Sequence, residues 1–173
     1  MKRKLLLLIM VLTSGFIWSQ NLKTEGKKIV DGNGNEVILK GAGLGGWMLM
    51  EGYMMQSSDV ADTQHDFRER LEALIGKTKT DEFFDAWLAN HVTKTDIDSL
   101  AKWGFNSVRL PMHYNLFTLP IEDEAVAGQN TWLDKGFSMV DDLLDWCEAN
   151  QMYLILDLHA APGGQGANAA ISD

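Results

Sequence analysis

Cysteine, proline and positive charge are all scarce in this 173-residue chain, which has one Cys, three Pro, and 15 Lys and Arg residues against 24 Asp and Glu residues. With Cys147 alone, no intramolecular disulfide can form, so the fold must rest on a packed core. Cys147 also falls on an apolar stripe with helical spacing, which favours a buried thiol over a nucleophile. The net charge of −9 would repel nucleic-acid phosphates and anionic membranes, so neither is an expected partner.

Long hydrophobic runs are missing as well. The apolar run from Leu5 to Leu12 is too short to predict a membrane span. It follows the basic residues 2–4 and precedes Ser19, a small residue at the position expected for cleavage. This pattern predicts a signal peptide over residues 1–19 and export of residues 20–173 to the medium, the periplasm or the cell surface. An uncleaved N-terminal anchor is the alternative.

Short β-prone runs and helical periodicities alternate along the rest of the chain. Lys28–Val30 and Val37–Leu39 flank a Gly- and Asn-rich turn, which predicts a β-hairpin. The further predicted elements are a strand within 41–47, helices over Gln64–Ile75 and Thr80–Val92, a helix from Thr95 to Trp103 with Asp98 in its capping turn, a strand over Phe105–Leu110 closed by Pro111, a helix over 133–148, and a strand over Tyr153–His159.

The strand Tyr153–His159 is the one around which the other elements are arranged. Its near-continuous apolar run predicts a strand buried on both faces of a parallel sheet. Strands that alternate with helices also favour parallel βαβ units, and hence an α/β fold. Three parallel strands cannot close a barrel, which needs about 250 residues, so the chain is expected to be the N-terminal part of a larger domain.

Polar side chains follow each predicted strand at its C-terminal end. They are Trp47 and Glu51 after the first strand, Arg109, His113, Tyr114 and Asn115 in and after the second, and Asp157, His159 and Gln165 in and after the third. Because parallel strands end at one edge of a sheet, we expect these groups to converge. Each has a structural alternative when taken alone, such as a surface ion pair for Arg109.

Two other motifs point to different chemistry. Gly41-x-Gly43-x-x-Gly46 matches a dinucleotide-binding pattern, but no helix start follows it and the next strand is about fifty residues away, so this interpretation is disfavoured. Asp157-x-His159 could form half of a metal site, although no second cluster at suitable spacing accompanies it.

Three motifs in order resemble glycoside hydrolase family 5, the cellulase family of (β/α)8 barrels. They are Gly45-Gly46-Trp47-x-x-x-Glu51, the run from Gly104 to Pro111, and the run from Leu156 to Gln165. The resemblance covers about residues 27–166, weakens across an insertion at 55–93, and is strongest to the exo-β-1,3-glucanase-type branch. It implies that the chain is the N-terminal portion of a TIM barrel, with about its first three strands after a β-hairpin.

The resemblance also implies roles for individual residues. Arg109 corresponds to an Arg that hydrogen-bonds the nucleophilic Glu, and His159 to a His that contacts the sugar beside the scissile bond. Glu51 corresponds to a carboxylate that binds hydroxyls of that sugar, whereas Trp47 is expected to be a buried neighbour. The remaining assignments are to substrate binding: Tyr114, which matches a family aromatic, Gln165, and His113, which departs from the branch pattern.

The family's two catalytic glutamates are not encoded in this chain. They follow strands 4 and 7 of the barrel, and the predicted strands end at the third. The resemblance therefore implies a secreted retaining glycosidase of β-glucan-type polysaccharide, without cofactor or metal and monomeric when complete, whose acid/base and nucleophile lie beyond these residues. The alternatives are a non-catalytic carbohydrate-binding relative and a metal-dependent hydrolase using Asp157 and His159.

Overall fold

The computed structural model describes residues 22–120 and 123–162. The predicted leader and Gln165 therefore lie outside the described residues. The chain divides into two compact units, and the boundary between them falls between Ile38 and Leu39. In the part of the chain that is described, no helix is long and apolar enough to cross a membrane.

A β-hairpin forms the first unit, but its strands differ from the predicted ones. Strand β1 (Lys23–Glu25) pairs antiparallel with β2 (Lys28–Val30). The turn predicted after β2 is present, because the Asp31 carboxylate accepts hydrogen bonds from the backbone of Asn33 and from Asn35. These bonds, with the Asn35 side chain first, lower the pKa of Asp31. The predicted partner strand Val37–Leu39 is wrong, since the segment beyond the turn pairs with β2 only through the Val30–Glu36 bridge and the bond from the Val37 N–H to the Ile29 carbonyl.

The described part of the second unit contains a parallel sheet and five α-helices. Its strands are β3 (Gly41–Gly43), β4 (Ser107–His113) and β5 (Tyr153–Ala160), in the spatial order β3-β4-β5. Its helices are α1 (Gly52–Met55), α2 (Gln64–Ile75), α3 (Lys77–Asn90), α4 (Lys94–Lys102) and α5 (Asp134–Ala149), with a 3-10 helix over Tyr114–Leu116. The α/β fold with a parallel sheet is confirmed.

Strand β4 continues through Pro111, which was predicted to close it. Residues two apart in a strand direct their backbone groups to the same side. The Arg109 carbonyl accepts from Leu44 and the His113 N–H donates to Met48, so both bond on the β3 side. Pro111 lies between them, where β3 has already ended at Gly43. Its missing N–H therefore leaves no acceptor unpaired on a neighbouring strand, and the proline is tolerated.

One face of β4 packs against two helices to form the core. Val108 and Leu110 are fully buried and alternate with residues that point to the other face. They join Ile97 of α4 and both Leu143 and Cys147 of α5 in one apolar cluster. The thiol of Cys147 is thus a core group, and burial raises its pKa to about 11.

Strand β5 is not buried on both faces, as its apolar run had predicted. Ile155, Leu156 and Leu158 are 41%, 57% and 53% exposed. The reason is topological: β5 is an edge strand of the described sheet, so its side chains lack the same-face neighbours that a second flanking strand would supply. An apolar run shows that the side chains of a strand favour burial, but it does not show whether neighbouring elements cover them.

Helix α4 begins two residues earlier than its predicted capping residues suggest. Thr93, and not Thr95, is the N-cap, and the capping acidic residue is Asp96 in place of Asp98. The Thr93 hydroxyl and N–H both donate to the Asp96 carboxylate, at 2.7 and 2.8 Å, and these bonds lower its pKa. Asp98 instead binds Lys94 and Asn150.

Helices α2 and α3, which are separated only by Gly76, form a helical hairpin between β3 and α4, here called the α2–α3 hairpin. Its interior is aromatic, with the Phe67, Phe83 and Phe84 rings in edge or tilted contact at centroid distances of 5.4 to 6.4 Å. The Arg68 guanidinium lies 4.9 Å from the centre of the Phe84 ring. The predicted insertion is thus a packed element with its own apolar contacts.

Candidate active site

The segment from Leu44 to Glu51, here called the β3 exit loop, leaves the C-terminal end of β3. Gly46 has a φ of +79°, a conformation that glycine adopts without strain. The turn at Gly46 directs the Trp47 side chain inward, where it is 2% exposed. This burial agrees with the expectation that Trp47 is a packed neighbour.

The α2–α3 hairpin holds the β3 exit loop through side-chain hydrogen bonds to its backbone. Trp87 Nε1 donates to the Gly46 carbonyl, and Trp47 Nε1 donates back to the Leu88 carbonyl, both at 2.8 Å. Near the far end of the loop, the Met50 N–H donates to Gln64 Oε1 at 2.9 Å. The loop is therefore fixed on both sides of the residues that precede Glu51.

Glu51 itself lies at the end of this loop and is 9% exposed. Its carbonyl accepts from the N–H groups of Met54 and Met55, so its backbone starts helix α1. Its side chain makes no capping bond to that helix. The carboxylate is thereby left to other partners, while the backbone is set by α1 and by the loop.

Arg109, Asp157 and His159 form one cluster, here called the Arg109 cluster. Arg109 pairs in register with Ile155, which places Asp157 and His159 further along the same face of β5. Arg109 Nη2 forms an ion pair with Asp157 Oδ2 and lies 3.0 Å from His159 Nδ1. Asp157 Oδ2 also lies 3.0 Å from His159 Nδ1. The side chains are 46%, 27% and 23% exposed.

The cluster fixes the orientation of the imidazole. A guanidinium only donates and a carboxylate only accepts, so Nδ1 serves one of them according to the tautomer. Both contacts of His159 involve Nδ1. In either tautomer this leaves Nε2 to face a ligand, as an acceptor when Nδ1 carries the proton and as a donor when it does not. A partly exposed ring held in this way is suited to binding a hydroxyl group.

The other predicted site residues are placed differently. No described contact joins Glu51 to the Arg109 cluster, although the exit loop and the cluster lie at the same end of the sheet. His113 is 2% exposed, and its Nδ1 accepts from the Asn115 N–H at 3.2 Å. Its ring stacks on Tyr114 at 4.9 Å, so His113 supports Tyr114 from behind. Gln165 is outside the described residues.

Two features of the site were missed by the sequence analysis. The sequence motif places Asp157 in a possible half of a metal site, but in the structure it is the ion-pair partner of Arg109. Its position two residues before His159 was a signal, since both then share a face, but the strand register that brings Arg109 alongside was not known. Trp87 gave no functional signal, because its role depends on contact with residues 41 positions away.

The described residues contain no group of three or more His, Cys, Asp or Glu side chains arranged to hold a metal ion. Asp157 and His159, the pair considered for that role, lie against the Arg109 guanidinium. A fixed positive charge at this distance repels a cation, so their surroundings favour hydrogen bonding to neutral groups.

Comparison with known proteins gives a family and several relatives. The model of the family Cellulase (glycosyl hydrolase family 5) matches residues 50–172. A beta-xylosidase of Phanerodontia chrysosporium is 39% identical over 147 residues, covering 85% of this chain and 29% of that protein. A glucan 1,3-beta-glucosidase of Candida oleophila is 30% identical over 164 residues, covering 91% of this chain and 37% of that protein. The chain thus spans about a third of these relatives.

Solved structures show the same fold. A rutinosidase from Aspergillus niger superposes with a TM-score of 0.56 at 22% identity, covering 75% of this chain and 35% of that one. A second structure, AoRut, superposes with a TM-score of 0.55 at 23% identity. The three-stranded parallel sheet of this chain and its helices therefore have the same fold as a part of these solved structures.

Proposed function

The chain belongs to glycosyl hydrolase family 5, and on this basis we propose that it is part of a glycosidase that cleaves β-glucan-type polysaccharide. The observation that carries the proposal is the Arg109 cluster, in which an arginine, a carboxylate and an imidazole meet on adjacent parallel strands, level with or beyond the C-terminal end of β3. That end of an α/β sheet is where such enzymes bind substrate.

In the proposed mechanism, this chain supplies binding and electrostatic support. His159 Nε2 binds a hydroxyl of the sugar beside the scissile bond, and Glu51 binds further hydroxyls of the same sugar. Arg109 provides a permanent positive charge that keeps a nucleophilic glutamate ionised, while Asp157 holds the guanidinium in place. The acid/base and nucleophilic glutamates of a retaining reaction come from sequence that these 173 residues do not include.

The test is hydrolysis by the complete gene product. We expect reducing ends to be released from laminarin or carboxymethylcellulose, and xylan belongs in the panel because one relative is named a beta-xylosidase. Retention is checked by following the anomeric configuration of the first product by NMR. Binding of these glycans with no hydrolysis would support the non-catalytic alternative and overturn the proposal.

The role of Arg109 has a separate test in the same protein. Arg109→Ala should lower kcat on the order of a hundredfold. The acid limb of the pH profile should move to higher pH, because loss of a neighbouring positive charge raises the pKa of a carboxylate nucleophile. Arg70→Ala, which removes an exposed arginine from α2, is the matched control. An unchanged acid limb would show that Arg109 is only a structural partner of Asp157.

We further propose that the protein is exported, with residues 1–19 removed as a signal peptide. The support is the basic residues 2–4, the apolar run from Leu5 and the small Ser19. N-terminal sequencing of protein recovered from the culture medium should find a start close to Gln20. Recovered protein that begins at Met1 would contradict cleavage.

A further inference from the structure

A cavity of about 510 Å³ opens beside the α2–α3 hairpin, and the proposed mechanism assigns it no role, although His113 and Tyr114 on its wall are among the residues predicted to bind substrate. Its wall includes Gln64, Arg68 and Phe84 of the hairpin, and Tyr114 and Asn115 of the segment after β4. This volume lies in the range of small-molecule pockets. Apolar ring faces and polar groups are therefore presented to one concave space.

The cavity lies at the same end of the sheet as the Arg109 cluster. His113 and Tyr114, which line it, continue directly from β4, the strand that carries Arg109. Four residues separate Arg109 from His113, which is roughly 13 Å at the usual rise of a strand. One sugar ring cannot span that length of strand, so a sugar in the cavity would be a different unit from the one at the cluster.

The chemistry of the wall fits a sugar. Tyr114 places an aromatic ring on the wall, with His113 stacked against it, whereas the Phe84 ring is covered by the Arg68 guanidinium at 4.9 Å. Aromatic faces pack against the apolar face of a pyranose, and the amides of Gln64 and Asn115 can bind its hydroxyls. The Gln64 Oε1 is already used by the Met50 N–H, so its amide group is oriented before a ligand arrives.

The cations of the wall are paired with carboxylates, which favours neutral over acidic ligands. Arg68 forms ion pairs with Glu72 and Asp81, and Lys135 pairs with Asp85 at 2.6 Å. Each cation therefore already has a carboxylate partner, and an anionic ligand would have to displace one. The ion pairs also hold the Arg68 fork in a fixed orientation, from which its remaining N–H groups can donate to hydroxyls.

We propose that this cavity is a distal subsite for an uncharged glycosyl unit of the glycan chain bound at the Arg109 cluster. The proposal rests on the proposed function for the identity of the chain, but the cavity residues and their chemistry are observed separately. It assigns to the α2–α3 hairpin the recognition of chain length, with Arg68 and Asn115 as specificity-determining residues.

The experiment measures binding, so that it does not depend on turnover. Thio-linked gluco-oligosaccharides of two and six units, which glycosidases do not cleave, are titrated calorimetrically into the complete gene product. We expect the hexasaccharide to bind more tightly than the disaccharide. Arg68→Ala should weaken hexasaccharide binding about tenfold, the loss of one or two hydrogen bonds from a charged donor. The disaccharide Kd should stay within twofold.

Two further variants keep the result interpretable. Arg70→Ala removes an arginine from the same helix, where it is 58% exposed and paired with Asp66, and it should bind both probes as the wild type does. Asn115→Ala replaces an exposed residue of the opposite wall and should weaken hexasaccharide binding in the same direction. If Arg68→Ala fails to fold, as judged by circular dichroism, hexasaccharide binding by Asn115→Ala tests the subsite.

The outcomes separate the two proposals. Equal hexasaccharide affinity in wild type, Arg68→Ala and Asn115→Ala would overturn the subsite, even if the protein hydrolyses β-glucan. Length-dependent binding that both variants abolish would support the subsite, even in a protein that hydrolyses nothing. Tighter binding of a hexauronide than of the neutral hexasaccharide would overturn the assignment to an uncharged sugar.

Discussion

Trp47 and Trp87 exchange hydrogen bonds: the indole N–H of each donates, at 2.8 Å, to the carbonyl of the residue next to the other, Leu88 and Gly46. The two bonds join the β3 exit loop to helix α3 across 41 residues of sequence. Because Glu51 lies at the end of that loop, the hairpin and the candidate active site are mechanically connected through this pair.

We expect Trp87→Phe to test this connection while an aromatic ring is kept at the site. The Gly46 carbonyl would lose its donor, which should lower the free energy of unfolding by about 1 kcal/mol. The KM for β-glucan should rise as well, because the loop that positions Glu51 loosens. Urea unfolding and steady-state kinetics of the complete gene product measure both. Trp103→Phe, at a 74% exposed site, is the control, and a Trp87→Phe protein that behaves like it would show that the bond is unimportant.

Gly136→Ala should be destabilising even though alanine is the better helix former. In helix α5, a Cβ on Gly136 would lie 2.5 Å from the Leu116 carbonyl oxygen and 2.9 Å from the Phe117 ring. Backbone atoms cannot move aside cheaply, so the overlap should exceed the propensity gain and cost about 1–3 kcal/mol. Thermal unfolding compares it with Gly43→Ala, where a Cβ meets nothing within 4 Å. Equal Tm values for the two variants would contradict the close contact.

Cys147 should be unreactive in the folded protein. The side chain is fully buried, and burial raises the pKa of its thiol from 9.0 to about 11. A thiol reagent at pH 8 should therefore label it only after unfolding in urea. Because the pKa of the thiol is higher in the folded state, the free energy of unfolding should also fall at alkaline pH. Above pH 9 the unfolded thiol releases its proton while the folded one retains it. Rapid labelling without denaturant would contradict a core position.

The 173-residue chain expressed by itself should associate and show no glycosidase activity. Leu156 and Leu158 are more than half exposed on β5, an edge strand with unpaired backbone groups. The two proposed catalytic glutamates are also absent from these residues. Light scattering and a laminarin assay of the purified chain measure both properties. Reproducible turnover by monomeric chain would mean that the catalytic pair has been assigned wrongly.

The sequence was a good guide to elements whose signals are local. The periodicity of Gln64–Ile75 matched α2 at both ends, and the run from Tyr153 matched β5. The sequence was misleading where a neighbouring strand determines whether a segment pairs. Pro111 continues a strand because β3 ends before reaching it. Lys23–Glu25 forms the ladder with β2, whereas the segment after the turn contacts β2 only through the Val30–Glu36 bridge and the bond from the Val37 N–H to the Ile29 carbonyl.

The sequence by itself determined the α/β fold, the family, and which polar side chains lie on or just after the strands. Patterns of period 2 and 3.6 and short motifs are properties of adjacent residues, so they can be read without coordinates. Only the tertiary structure decided that Arg109 binds Asp157 and that Trp87 holds the loop before Glu51. Both contacts join residues more than 40 positions apart, and their formation depends on strand register and helix packing, which no local pattern specifies.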